Sequence, residues 1–134
     1  MSIPSVVFFG DFSEERIPWN TAASHLGWAV QCAPDLNSLA RISKDAEVTA
    51  VFVDQRTYGV SDALLLRRVR AIVPQARLII CCPIRFVFDF DPDEVGAFHV
   101  IARPLKIDEL RASIGFVWES WSRRNEQNVA SAAA

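Results

Sequence analysis

The heptapeptide VTAVFVD, residues 48–54, decides how this chain reads. Six uncharged residues, mostly β-branched or aromatic, end abruptly on a single carboxylate, Asp54. A short continuous apolar run of this kind is a strand buried on both faces, the kind found in parallel sheets that carry helices above and below. Other runs in the chain match it. Val6-Val7-Phe8-Phe9 is a strand that enters a loop at Gly10-Asp11, Trp28 to Cys32 is a second, and Leu78-Ile79-Ile80-Cys81-Cys82 is a fourth. Phe98 to Ala102 is a fifth, stopped by Arg103-Pro104.

Helical patterns fill the gaps. One stretch runs to about Leu26, with Pro18 suited to a first turn and Gly27 as its C-terminal cap. Pro34-Asp35 marks the start of a helix carrying Leu36, Leu39, Ala40 and Ile42. Leu64, Leu65, Val69 and Ile72 recur at helical spacing with Arg67, Arg68 and Arg70 opposite, and Pro74 ends that helix. A last helix runs from about Ile107 to Arg124. Strands alternating with helices through short links predict a doubly wound five-stranded parallel α/β sheet. Residues 1–124 form the expected domain and residues 125–134 a flexible tail.

Composition narrows the function. The 134 residues suffice for one domain, 51% are hydrophobic and the net charge is −2. No basic cluster exceeds a pair such as Arg67–Arg68 or Arg123–Arg124, so direct nucleic-acid binding is not expected. No apolar run approaches the roughly 20 residues that span a bilayer. Met1-Ser2-Ile3-Pro4 has no charged signal-peptide start. Cys32, Cys81 and Cys82 show neither metal spacing nor a disulfide framework, which points to a reduced, cytoplasmic protein.

In a doubly wound sheet the binding crevice lies beyond the carboxyl ends of the strands, where strand order reverses. That rule selects Gly10-Asp11, Asp54, Cys82-Pro83 and Arg103-Pro104. At these positions the chain resembles the response-regulator receiver family of two-component signalling. Gly27-Trp28-Ala29-Val30 resembles the family's entry to its second strand, and Val51-Phe52-Val53-Asp54 its third strand with the phosphoacceptor aspartate. Arg103-Pro104-Leu105 followed by Ile107-Asp108-Glu109-Leu110 resembles the Lys-Pro-Phe segment and the helix after it. The resemblance spans about Val6 to Trp121 and implies a flavodoxin-like receiver fold.

It also implies a chemistry: transfer of a phosphoryl group from a kinase histidine to Asp54, with Mg²⁺ bound by Asp11 and Asp54. Cys82 and Arg103 stand where a hydroxyl and a lysine would contact the phosphoryl group. The departures are several. Gly10 replaces one acidic residue of the metal site, which weakens Mg²⁺ binding, and Cys82 is a poor donor. Arg103 brings a planar fork in place of an ammonium. Val100 stands in place of an aromatic switch residue, and Gln55-Arg56-Thr57-Tyr58-Gly59 replaces the usual loop after the acceptor. Arg103 either pairs with Asp54 and imitates a locked state, or is an ordinary crevice arginine. Asp11 is either a metal ligand or a helix cap, and Asp54 either a site residue or a strand-end cap. Cys81 and Cys82, being adjacent, should face opposite sides of the sheet as buried filler. His25 and His99 suggest neither a metal site nor a relay.

The stretch Ile84 to Val95 alternates like a strand, so a short or irregular fourth helix is expected there. On the last helix Ile107, Leu110, Ile114, Val117, Trp118 and Trp121 form one stripe, and Phe116 points away from it. Phe116, Trp118 and Trp121 are the candidate contact surface. Two functions follow. One is a non-enzymatic receiver-like module acting by protein–protein contact, with an atypical acceptor site at which Asp54 phosphorylation is weak, altered or absent. Its partner would be a histidine kinase, another signalling protein, or a second copy docked through the fourth-helix, fifth-strand and last-helix face. The other is a working phosphoacceptor receiver using Asp54 and Mg²⁺. A nucleotide-binding enzyme is disfavoured, because Gly10-Asp11-Phe12-Ser13 lacks a glycine-rich phosphate loop.

Overall fold

A computed structural model describes residues 4–12, 27–55, 62–83 and 99–103, together with residues 106, 108, 112, 113, 115–117, 119, 122 and 123. Five strands form one sheet: β1 (Pro4–Phe9), β2 (Ala29–Ala33), β3 (Glu47–Asp54), β4 (Arg77–Pro83) and β5 (His99–Arg103). All pairings are parallel, in the order β2-β1-β3-β4-β5. Strand order therefore reverses between β1 and β3, the position the crevice rule selects. Asp54 and Arg103 are the last residues of β3 and β5, one residue inside the strands where the sequence reading had them as stops.

Between β2 and β3 lies helix α1 (Leu36–Asp45). Asp35 starts it from an extended φ of −149°, its carboxylate accepting from the Ser38 amide at 2.8 Å. That bond holds the Asp35 carboxyl below its ordinary value. Ala46 ends the helix in extended backbone, its amide still donating to the Ile42 carbonyl. Helix α2 (Asp62–Ile72) packs on the same face of the sheet as α1. There the structure corrects the expected stripe. Leu65, Leu66 and Val69 are buried and Ile72 is half-buried, but Leu64 is 38% exposed. Three consecutive leucines leave the phase of a helix open, and packing chose the later two.

The two faces of the sheet hold separate cores. Val6, Phe8, Phe12, Phe52, Ile79, Cys81 and Ile101 form one, which Val117 covers from the C-terminal helical turns. Val7, Phe9, Val51, Val53, Ile80 and Cys82 form the other, covered by Leu39 of α1 and by Leu65, Leu66 and Val69 of α2. Cys81 and Cys82 thus face opposite sides, as period-2 alternation requires.

An irregularity in β3 orients the site. Ser5 pairs with Val48 while Val6 pairs with Ala50, so Thr49 is an extra residue in the ladder. Its hydroxyl donates to the Ser5 carbonyl at 2.9 Å in a buried position. The bulge reverses the alternation: Val48 belongs to the second core, yet Ala50 and Phe52 belong to the first. Counted from Val48 by strict alternation, Asp54 would face α1 and α2. The bulge at Thr49 turns it toward Phe8 and Phe12 instead.

Among the described residues no helix is long and apolar enough to cross a membrane. The expected helix ending at about Leu26 and the short or irregular fourth helix expected within residues 84–95 lie outside the described residues. Gly27 has φ +68°, the left-handed geometry that its reading as a cap requires.

Candidate functional site at the carboxyl ends of the strands

β1, β3 and β5 deliver Asp11, Asp54 and Arg103 to one place. Arg103 donates from Nη1 to Oδ1 of Asp54 at 2.6 Å and from Nη2 to the Asp11 carbonyl at 2.9 Å. The Asp11 amide donates to Oδ2 of Asp54 at 3.3 Å. The guanidinium carbon of Arg103 lies 4.5 Å from the centre of the Phe12 ring. Phe12 is itself fixed by Phe8, whose ring centre is 5.3 Å away, and Phe8 packs in turn in a tilted contact with Phe52 at 5.5 Å. The ion pair is dry: the Arg103 and Asp54 side chains are only 3% and 1% exposed.

Sheet geometry explains why this cation can be an arginine. β4 lies between β3 and β5, so two strand spacings, about 9–10 Å, separate the backbones of Asp54 and Arg103. A long side chain with a forked head can cross the end of β4, meet the carboxylate with one nitrogen and reach the Asp11 carbonyl with another. A buried charge pair persists only when its remaining hydrogen-bonding capacity is also met. Here the Asp11 backbone and the Phe12 ring supply that support.

The structure thus brings Asp54 and Arg103 into contact and joins Asp11 to them. Asp11 contributes its amide and carbonyl to these bonds, and it is exposed. Cys82 is placed elsewhere. It is fully buried with Val53 and Ile80 in the core on the opposite face from Phe12, alongside the half-buried Val100. Cys81 is the residue in register with Asp54, and its carbonyl accepts from the Gln55 amide at 3.1 Å. Phe12 escaped the sequence reading. The signal available was an aromatic residue directly after the first crevice acid in a chain carrying an arginine at the fifth strand end.

Mg²⁺ requires near-octahedral oxygen ligands with free lone pairs. With Arg103 in place, the Asp54 carboxylate meets that demand poorly. Oδ1 of Asp54 holds a guanidinium N–H and Oδ2 an amide N–H. Gly10, at the position of the second acid, has φ 116°, where residues with a side chain are rarely found. Among the described residues no three His, Cys, Asp or Glu side chains gather into a metal site.

On the C-terminal helical turns Phe116 is 58% exposed while its neighbour Val117 is fully buried. Val117 faces the sheet and Phe116 faces away from that stripe, as the sequence reading had it. Trp118 and Trp121 lie outside the described residues.

No protein-family model matches this sequence, and no curated protein does. Solved structures do resemble the chain. A structure titled adenylate cyclase from Rhodopirellula baltica is 14% identical, with a TM-score of 0.74 over 97% of each chain. A CheY-like response regulator receiver domain protein from Methanospirillum hungatei JF-1 is 13% identical, with a TM-score of 0.69 over 92% of this chain and 99% of that one. The signal receiver domain of an HD domain-containing protein from Pseudomonas fluorescens Pf-5 is 16% identical, with a TM-score of 0.72 over 94% of each chain. At these identities the likeness is one of fold. The chain has the five-stranded, doubly wound, flavodoxin-like fold of CheY-like receiver domains.

Proposed function

We propose that this chain is a receiver-like signalling module that acts through protein–protein contacts, with Asp54 held by Arg103 and not used as a phosphoacceptor. The observation that carries the reading is the buried 2.6 Å pair between Arg103 Nη1 and Asp54 Oδ1. Phosphoryl transfer to a carboxylate requires a free nucleophilic oxygen and a metal that neutralises the phosphoryl charge. In this chain a guanidinium engages the nucleophile. An arginine that is always protonated at ordinary pH cannot release it by losing a proton.

A module without a phosphorylation switch must signal by being bound. Phe116, exposed beside the buried Val117, supports a contact surface on the C-terminal helical turns, to which Trp118 and Trp121 are assigned. The partner class is a histidine kinase, another signalling protein, or a second copy of this chain.

Incubation with a small phosphodonor and Mg²⁺, followed by intact-mass measurement, tests the reading. The expected result is no phosphate adduct under conditions that label an ordinary receiver. An adduct on the wild type that disappears in Asp54→Asn would make the chain a working phosphoacceptor and overturn the proposal.

A further inference from the structure

We propose that Arg103 is the resident cation of this site and stands in place of a divalent metal, so that the wild-type protein excludes Mg²⁺ and Mn²⁺ from Asp54. The inference rests on the reading of Asp54 as held by Arg103, and it adds a claim about metal that phosphodonor labelling does not address.

Three features carry it. The first is position. The guanidinium meets Oδ1 of Asp54 and the Asp11 carbonyl together, two oxygens from the β1 and β3 ends that flank the point where strand order reverses. These oxygens are hard donors of the kind a small divalent cation takes, and a positive charge already lies against both. The second is permanence. The Arg103 side chain is 3% exposed, its guanidinium lies over Phe12, and Phe12 is anchored on Phe8 in the core. A dissolved ion must therefore displace a dehydrated, stacked cation, in addition to shedding its own water. The third is the missing ligand. Gly10 has φ 116° and its amide donates to the Ala33 carbonyl at 3.0 Å, so the backbone there suits glycine and position 10 adds no carboxylate to those of Asp11 and Asp54.

The pair is thereby a built-in neutralisation of the Asp54 carboxylate. Removing the guanidinium leaves that carboxylate buried without its cation, the condition under which a protein site takes up a metal ion or loses stability. The arrangement is thus an intramolecular block, and it should be reversible by one substitution.

The test uses Mn²⁺ as the probe, in the absence of any phosphodonor. Paramagnetic broadening of the Asp11 and Gln55 amide signals is followed in the wild-type chain, in Arg103→Gln and in Arg103→Gln/Asp54→Asn. The wild type should show no selective broadening. Arg103→Gln should bind at least about tenfold more tightly than the wild type, and the double variant should lose that gain. Selective broadening in the wild type overturns the proposal, as does a folded Arg103→Gln that responds no more than the wild type. Should Arg103→Gln fail to fold unaided, refolding it with Mn²⁺ or with NaCl at equal ionic strength decides the matter. Rescue by Mn²⁺ alone supports the proposal, and failure with both overturns it. A wild type that takes a phosphate adduct but excludes Mn²⁺ would sink the functional reading and leave this one standing.

Discussion

Arg103 reaches across the end of β4 to place Nη1 2.6 Å from Oδ1 of Asp54, joining two strands that are not neighbours in the sheet. The same side chain bonds the loop after β1 through the Asp11 carbonyl. One residue therefore ties together the carboxyl ends of β1, β3 and β5, where a doubly wound sheet builds its crevice.

Replacing Arg103 with lysine separates charge from shape. Lysine keeps the positive charge but loses the second directed bond and the flat face that lies over Phe12. Arg103→Lys should lower stability by about 1–3 kcal/mol, less than full removal of a buried partner. Urea denaturation at neutral pH measures it, and a loss equal to that of Arg103→Ala would mean that charge alone counts for nothing.

Phe12 should act through Arg103 as well as through the core. Phe12→Leu should cost more when arginine is present than when lysine stands at position 103, by about 0.5–1.5 kcal/mol. Additive losses in the four proteins of that cycle would remove the stacking contribution.

The bulge at Thr49 sets the direction of Asp54, five residues away. Thr49→Val keeps the volume and removes the hydroxyl that donates to the Ser5 carbonyl. The expected loss is about 1–2 kcal/mol, from a buried carbonyl left short of a donor. An unchanged denaturation midpoint would show that the extra residue is held by packing alone.

How far the sequence foretold this site depends on the residue. Asp54 and Arg103 were legible because apolar runs that end on a charge mark strand ends, and topology brings strand ends together. The bulge was not legible, since nothing in VTAVFVD distinguishes a strand that alternates regularly from one that skips at Thr49. Cys82 was selected by the same strand-end rule, and its contact role followed from the resemblance. Its placement with Val53 and Ile80 follows from pleat parity, which a shift of one residue reverses. Gly10 looked like a missing acid, whereas its φ of 116° gives a backbone reason for glycine. Phe12 needed the third dimension, because only the fold brings it beneath a residue 91 positions away in the chain, from 12 to 103.

Among the described residues, Asp35 gives a pH dependence the structure supports. Its carboxyl is held below the ordinary value of 3.8, chiefly by the hydrogen bond from the Ser38 amide. A lowered folded value means that the ionised carboxylate stabilises the protein fully above pH 3.8, and that this contribution fades as pH falls through the lower folded value. Asp35→Asn keeps an oxygen acceptor without the titration. The gap in melting temperature between wild type and variant should therefore be larger at neutral pH than in strong acid. A gap that stays constant through the acid range would contradict the assignment of this bond as the cause.

The most direct test is a double-mutant cycle on the central pair, comparing wild type, Asp54→Asn, Arg103→Gln and the double variant by urea denaturation. Each single variant leaves a buried group without its charged partner, and the double variant relieves both. The expected coupling is about 2–4 kcal/mol, with the double variant less destabilised than the sum of the singles. A coupling within about 0.5 kcal/mol of zero would mean that Arg103 does not hold Asp54, and the carboxylate would again be a free candidate for phosphorylation.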